Sequence, residues 1–141
     1  MAQIQDLVDT YRPTAIVFEG IQQQKNPRVN ILLARLQGCI MEFARIRCVP
    51  FEMLQPTAWR SVLEFNQGNK ITRNELKAQA VDFVKQSYGL NVGEDTCEAI
   101  CIGLAYFKKH GDLPDLSAAK RVSKDFKEKS HGKASSKKQA W

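Results

Sequence analysis

Three carboxylates stand where an acid is costly unless it has a task. Glu19 ends the apolar run Ala15-Ile16-Val17-Phe18, and Asp95 and Glu98 open the helical pattern Ala99-Ile100-Cys101-Ile102-Gly103-Leu104-Ala105. An acid closing a buried strand, with two more in the first turn of a helix, is how a fold aims several oxygen ligands at one hard cation. The chemistry open to such a set is metal-assisted hydrolysis of a phosphodiester. Each acid alone has an ordinary explanation. Asp95 and Glu98 can complement the helix dipole and accept from free backbone N–H groups. Glu19 can be solvated at a strand end or paired with Lys or Arg, and Gly20 permits a turn that would expose it. The combination carries the inference.

Cations lie close in sequence to this pattern. Lys70, Arg73, Lys77 and Lys85 fall outside the apolar stripe Leu76, Ala80, Phe83 and Val84, so they occupy the other face of one helix and the loop before it. That face can meet phosphate, or it can be merely solvated.

The elements that would position these residues follow from apolar spacing. Ile4, Leu7, Val8 and Tyr11 predict an amphipathic helix over 3–11, ended by Pro13. Residues 14–19 are short and β-branched, which predicts a strand buried on both faces. After a polar loop, the wide stripe Ile31, Leu32, Ala34, Leu36, Cys39, Ile40, Phe43, Ala44 and Ile46 predicts a second helix. Gly38 in its middle costs up to about 1 kcal/mol in helix propensity and suggests close approach of another backbone. Residues 48–54 read as a second parallel strand, and 56–62 as a short helix with Pro near its first turn. Thr72 with Glu75 forms a capping box, and Gly89 followed by Leu90 suits a left-handed C-terminal cap. A last helix is expected over 95–109, with Gly111 as its stop. Alternation of helix and strand implies an α/β fold in which parallel strands are covered by helices.

The chain has 141 residues and is 43% hydrophobic, enough for one domain with a core. No apolar run approaches the roughly 20 residues of a membrane span, and the N-terminal residues do not resemble a secretory signal. A cytoplasmic location is expected. Cys39, Cys48, Cys97 and Cys101 show no zinc spacing and are expected to be buried free thiols. The net charge of +6 is concentrated at one end: residues 1–116 carry 13 Lys or Arg against 13 Asp or Glu, while residues 117–141 carry 8 against 2. The expected organisation is a folded domain over 1–112 and a basic, disordered tail over 113–141. Such a tail is attracted to polyanions, or it serves only as a solubilising terminus.

Ile16-Val17-Phe18-Glu19 and Gly93-Glu94-Asp95-Thr96-Cys97-Glu98-Ala99-Ile100, taken in order, resemble RuvC-type Holliday-junction resolvases of the ribonuclease-H-like superfamily, closest to the phage and prophage branch. Ala34-Arg35-Leu36-Gln37-Gly38, Pro56-Thr57-Ala58-Trp59-Arg60 and Lys77-Ala78-Gln79-Ala80-Val81 extend the resemblance, which covers residues 1 to about 109. It implies an endodeoxyribonuclease that binds Mg²⁺ or Mn²⁺ through four acids and acts as a homodimer on a four-way DNA junction. Glu19 would be the acid after the central strand, and Asp95 and Glu98 the pair on the last helix, with Glu98 where many relatives carry Asp. Lys77 would match a lysine near the scissile phosphate and Arg60 a basic DNA contact. Lys70 and Arg73 would join that DNA-binding set, and the helix around Gly38 would match the dimer interface. Relatives also carry a first strand with an Asp in a D-x-G or D-x-S pattern. Asp6 and Asp9, on the outer side of a helix, do not replace it, so the resemblance implies an N-terminally truncated ribonuclease-H-like fold. Gln22 stands at a loop position where bacterial relatives have an aromatic residue. Two other readings stay open: a non-catalytic module that holds branched DNA, and an inactive fragment of a resolvase.

Overall fold

The structure is a computed structural model and describes residues 2–111. The expected basic tail lies outside the described residues. Seven elements follow one another: α1 (Ala2–Tyr11), β1 (Ile16–Glu19), α2 (Pro27–Ile46), β2 (Phe51–Leu54), α3 (Pro56–Val62), α4 (Arg73–Tyr88) and α5 (Glu94–His110). Local chemistry sets most boundaries. Asn26 caps α2 by accepting from the Arg28 backbone N–H at 3.0 Å, with Pro27 pre-set at the first helical position. Thr72 and Glu75 close a reciprocal capping box on α4, and these bonds from Thr72 hold the Glu75 carboxyl below its ordinary range. Gly89 (φ 65°) and Gly111 (φ 79°) end α4 and α5 in the left-handed conformation that glycine adopts without strain.

β1 and β2 form a parallel pair in the register Ile16↔Phe51, Val17↔Glu52, Phe18↔Met53 and Glu19↔Leu54. Because side chains alternate along a strand, Glu19 shares a face with Val17 and Leu54, which belong to the core. That core joins Leu54, Trp59, Ala80, Val84, Cys97, Cys101, Ile102 and Ala105, with α5 packed against α3, α4 and β1. Edge-to-face contacts from Trp59 to Phe65 (5.8 Å) and from Phe65 to Phe83 (5.6 Å) carry it to α4. Glu52, on the same sheet face as Glu19, accepts from Lys109 and lies 2.8 Å from His110, in the last turn of α5. The N-terminal turns of α5 therefore stand beside the carboxyl ends of the strands.

Several expectations of burial are corrected. β1 is only half-buried, because Phe51 and Met53 on the face opposite α5 are exposed and leave that side of the two-stranded sheet open. In α2 only Ala44 is buried, while Leu32 and Leu36 are 62% and 50% exposed. An amphipathic stripe records that a face is apolar, and not which surface covers it. No backbone approaches Gly38: a Cβ there would meet nothing within 4 Å. In α1, Leu7 and Tyr11 are exposed and Val8 alone is buried. The second strand is shorter than expected, since Cys48 takes a left-handed turn (φ 54°) before it. Of the four thiols, Cys97 and Cys101 are buried but Cys39 and Cys48 are exposed, lying on or just after the uncovered α2.

Candidate functional site

A groove of about 650 Å³ opens at the carboxyl end of β1. In parallel α/β sheets ligands bind outside these strand ends. One wall is α2, through Leu33, Leu36, Gln37 and Ile40; the other is built by α3, α4 and α5. Glu19 and Glu98 both line it, together with Arg60 and Arg73.

Glu19 is held at two points. Gln37 of α2 donates its side-chain N–H to the Glu19 carbonyl at 2.7 Å, and the Trp59 indole N–H donates to Glu19 Oε1 at 2.9 Å. The turn that follows is tight. A Cβ on Gly20 would lie 2.5 Å from the Gln55 amide nitrogen, so a side chain there would force Gln55 aside. Next along the groove, Gln24 and Asn30 bond reciprocally: Gln24 N–H donates to Asn30 Oδ1 (2.8 Å) and Asn30 Nδ2 to the Gln24 carbonyl (3.1 Å). This fixes the loop that carries Gln22.

Glu98 pairs with Arg60 at 3.5 Å, with side chains 20% and 11% exposed. The Arg60 guanidinium also lies over the Trp59 ring, 4.8 Å from its centroid. Its Nε is buried without a hydrogen-bond partner among the described residues. An unsatisfied buried donor is unfavourable by roughly 1–3 kcal/mol.

Asp95 is placed differently. Glu94 and Asp95 occupy the first turn of α5, while Glu98 sits one turn further on. Asp95 is 96% exposed, lies outside the groove lining and pairs with Lys77 at 3.5 Å. Lys77 also donates to Glu94 at 3.2 Å, and this bond, helped by the nearby charges of Asp95 and Glu98, raises the Lys77 ammonium above its ordinary range. Lys77 is thus an ion-paired link between α4 and α5, and Lys70 is exposed and outside the groove lining. Of the cations expected to contact DNA, Arg60 and Arg73 line the groove.

Carboxylate oxygens suit a hard divalent cation, and Mg²⁺ is commonly held by one or two carboxylates, with water and substrate phosphate completing the shell. Glu19 and Glu98 fit that minimum. A third donor is not gathered with them: among the described residues no group of three or more His, Cys, Asp or Glu side chains could hold a metal ion. Trp59, Gln37 and Glu94 are site residues that the sequence pattern does not single out. The one available signal is Trp59, since a buried indole N–H needs an acceptor and is usually found with one.

The architecture is α/β, with a short parallel pair of strands and helices, and is compatible with a ribonuclease-H-like fold. No family model matches the chain, and no solved structure matches it. A curated protein of Polynucleobacter necessarius subsp. necessarius (strain STIR1), the crossover junction endodeoxyribonuclease RuvC, is 27% identical over 116 residues. The match takes in 82% of this chain and 66% of that protein, so the chain spans just under two thirds of the length of the relative. This is a distant similarity to RuvC over most of the chain. No helix among the described residues is long and apolar enough to cross a membrane.

Proposed function

We propose that the chain acts in a RuvC-like endodeoxyribonuclease that cleaves branched DNA, four-way junctions above all, with Mg²⁺ or Mn²⁺. The observation that carries this reading is that Glu19 and Glu98 line one groove at the strand ends, with Arg60 and Arg73 in the same lining. It is supported by the distant similarity to a curated RuvC. Bound divalent ions would stabilise the attacking and leaving oxygens of phosphodiester hydrolysis. The residues of the chain have separable tasks. Glu19 and Glu98 offer carboxylate oxygens, Arg60 and Arg73 neutralise phosphate, and Lys77 orients Asp95 at the rim, from which it can join the acids. Lys70 and the basic tail add sequence-independent attraction to the DNA backbone.

A homodimer through α2 belongs to the same proposal. Ile31, Leu32, Leu36 and Ile46 expose an apolar row, and the open surface at Gly38 would let a second helix approach closely.

The test is cleavage of a labelled four-way junction, against duplex of the same sequence, in Mg²⁺ and in Mn²⁺. Junction-selective cutting that disappears in Glu19→Gln and in Glu98→Gln supports the nuclease. Cutting that survives both substitutions overturns the assignment of the groove. The second reading, a module that holds branched DNA without cutting it, is favoured by the groove lining, in which two carboxylates, and not three, come together among the described residues. It predicts junction binding with no cleavage in either metal.

A further inference from the structure

The geometry points to Trp59 as the positioning residue for Glu19: its indole N–H fixes one carboxylate oxygen and thereby sets how the other is offered to a divalent cation. This inference rests on the metal-binding reading of the groove.

Trp59 is fully buried, and its ring is clamped by Phe65 on one edge and by the Arg60 guanidinium over its face. A ring held in this way cannot follow a mobile acid, so the 2.9 Å bond from Nε1 makes the carboxylate follow the ring. The carbonyl of the same residue is anchored by Gln37, so backbone and side chain of Glu19 are both fixed from outside β1. Oε1 is engaged by a neutral donor, and no cation pairs with Glu19 among the described residues. Its negative charge is therefore not cancelled, in contrast with Glu98, which faces Arg60. Trp59 and Arg60 are consecutive on α3, so one short helix governs both acids of the groove. The indole orients the acid from β1, and the guanidinium balances the acid from α5. Hydrogen-bond partners of metal-binding carboxylates orient the ligand, and their loss typically weakens metal affinity 10- to 100-fold.

The chain of 141 residues is tested with Mn²⁺ alone, its free concentration followed by electron paramagnetic resonance. Trp59→Phe removes the donor. In case the smaller ring disturbs the core, a second variant carries 3-benzothienylalanine at position 59, which keeps the bicyclic shape and has sulfur in place of N–H. Both should bind Mn²⁺ about 10- to 100-fold more weakly than the unaltered chain. In ¹⁵N-labelled protein, Glu19→Gln should move the Trp59 indole resonance, distinguished from that of Trp141 by Trp141→Phe. Loss of Mn²⁺ binding in Glu19→Gln with unchanged binding in the benzothienyl variant overturns the role of Trp59 alone. Mn²⁺ binding unmoved by Glu19→Gln overturns the metal reading of the groove and this inference with it.

Discussion

The Arg60 guanidinium stands 3.5 Å from the Glu98 carboxylate, and the two side chains are largely withdrawn from water. The pair joins α3 to α5 beside the groove and places opposite charges where Glu98 would serve a cation and Arg60 a phosphate. Removing one partner leaves the other charge poorly solvated, whereas removing both leaves none.

A double-mutant cycle on this pair should therefore show coupling. Arg60→Met and Glu98→Gln should each destabilise the fold by roughly 1–3 kcal/mol, and the double variant by less than their sum, in urea unfolding monitored by circular dichroism. Strict additivity would mean that the two charges do not interact across the helices.

Thiol reactivity should divide the cysteines by position. Burial pushes the Cys101 thiol up to about 12, with smaller contributions from Cys97 and Glu98, and burial also raises Cys97. At pH 8 an aromatic disulfide reagent should titrate Cys39 and Cys48 quickly, and Cys97 and Cys101 only on unfolding. The sign of the pH dependence follows. A raised folded value favours the protonated thiol, so its contribution is intact below the ordinary value near 9 and is lost as pH climbs toward 12. The unaltered chain should lose stability over that interval faster than Cys101→Ala.

At the other end of α5, Glu52 is held below its ordinary range by the bond from Lys109 first and from His110 second. A lowered folded value means that the contribution is present above the unfolded value near 4.5 and disappears as pH falls through the folded one. Partial exposure keeps it under about 1 kcal/mol. Glu52→Gln should cost that amount at pH 7 and nothing near pH 2, as read by thermal unfolding across pH.

Features settled by near neighbours in sequence are the ones legible from it. The Thr72–Glu75 box and the Gly89 and Gly111 stops need only local chemistry, and the structure shows all three. The placement of Glu19 at a strand end is local too. The division of labour between Asp95 and Glu98 is not. Three residues apart on one helix, they diverge because Lys77 of α4 meets the first and Arg60 of α3 the second. Trp59 escapes for the same reason, since its acceptor lies 40 residues away. The apolar stripe of α2 shows a sticky face without naming what covers it.

That stripe supplies the next prediction. Leu32, exposed on α2 and outside the groove lining, should lie in the proposed dimer contact. Leu32→Glu places a charge where an apolar surface would be buried and should convert a dimer to monomer in light scattering, with little effect on monomer unfolding. A monomer in the unaltered chain at tens of micromolar would sink the proposed interface.

The charge arrangement of the site governs the last expectation. Glu19, Glu98, Glu94 and Asp95 are opposed by Arg60, Arg73 and Lys77, so acids outnumber bases by one. Two of these bases are already paired, Arg60 with Glu98 and Lys77 with Glu94 and Asp95. Phosphate approaching this surface meets carboxylates whose countercharges are engaged. A divalent cation bound at these acids would add positive charge and relieve them, leaving Arg60 and Lys77 free to contact DNA. Ca²⁺, an oxygen-seeking divalent cation, should tighten junction affinity by about tenfold, equivalent to about 1.4 kcal/mol, and chelation should reverse it. Glu94→Gln, which loosens Lys77 at a residue outside the groove lining, should raise affinity in the absence of metal and shrink the response to Ca²⁺. Fluorescence anisotropy with a labelled junction, at one fixed salt concentration because phosphate contacts are salt-dependent, measures both. Affinity that ignores Ca²⁺ in every variant would show that the basic residues outside this site, and not the paired cations within it, carry the DNA.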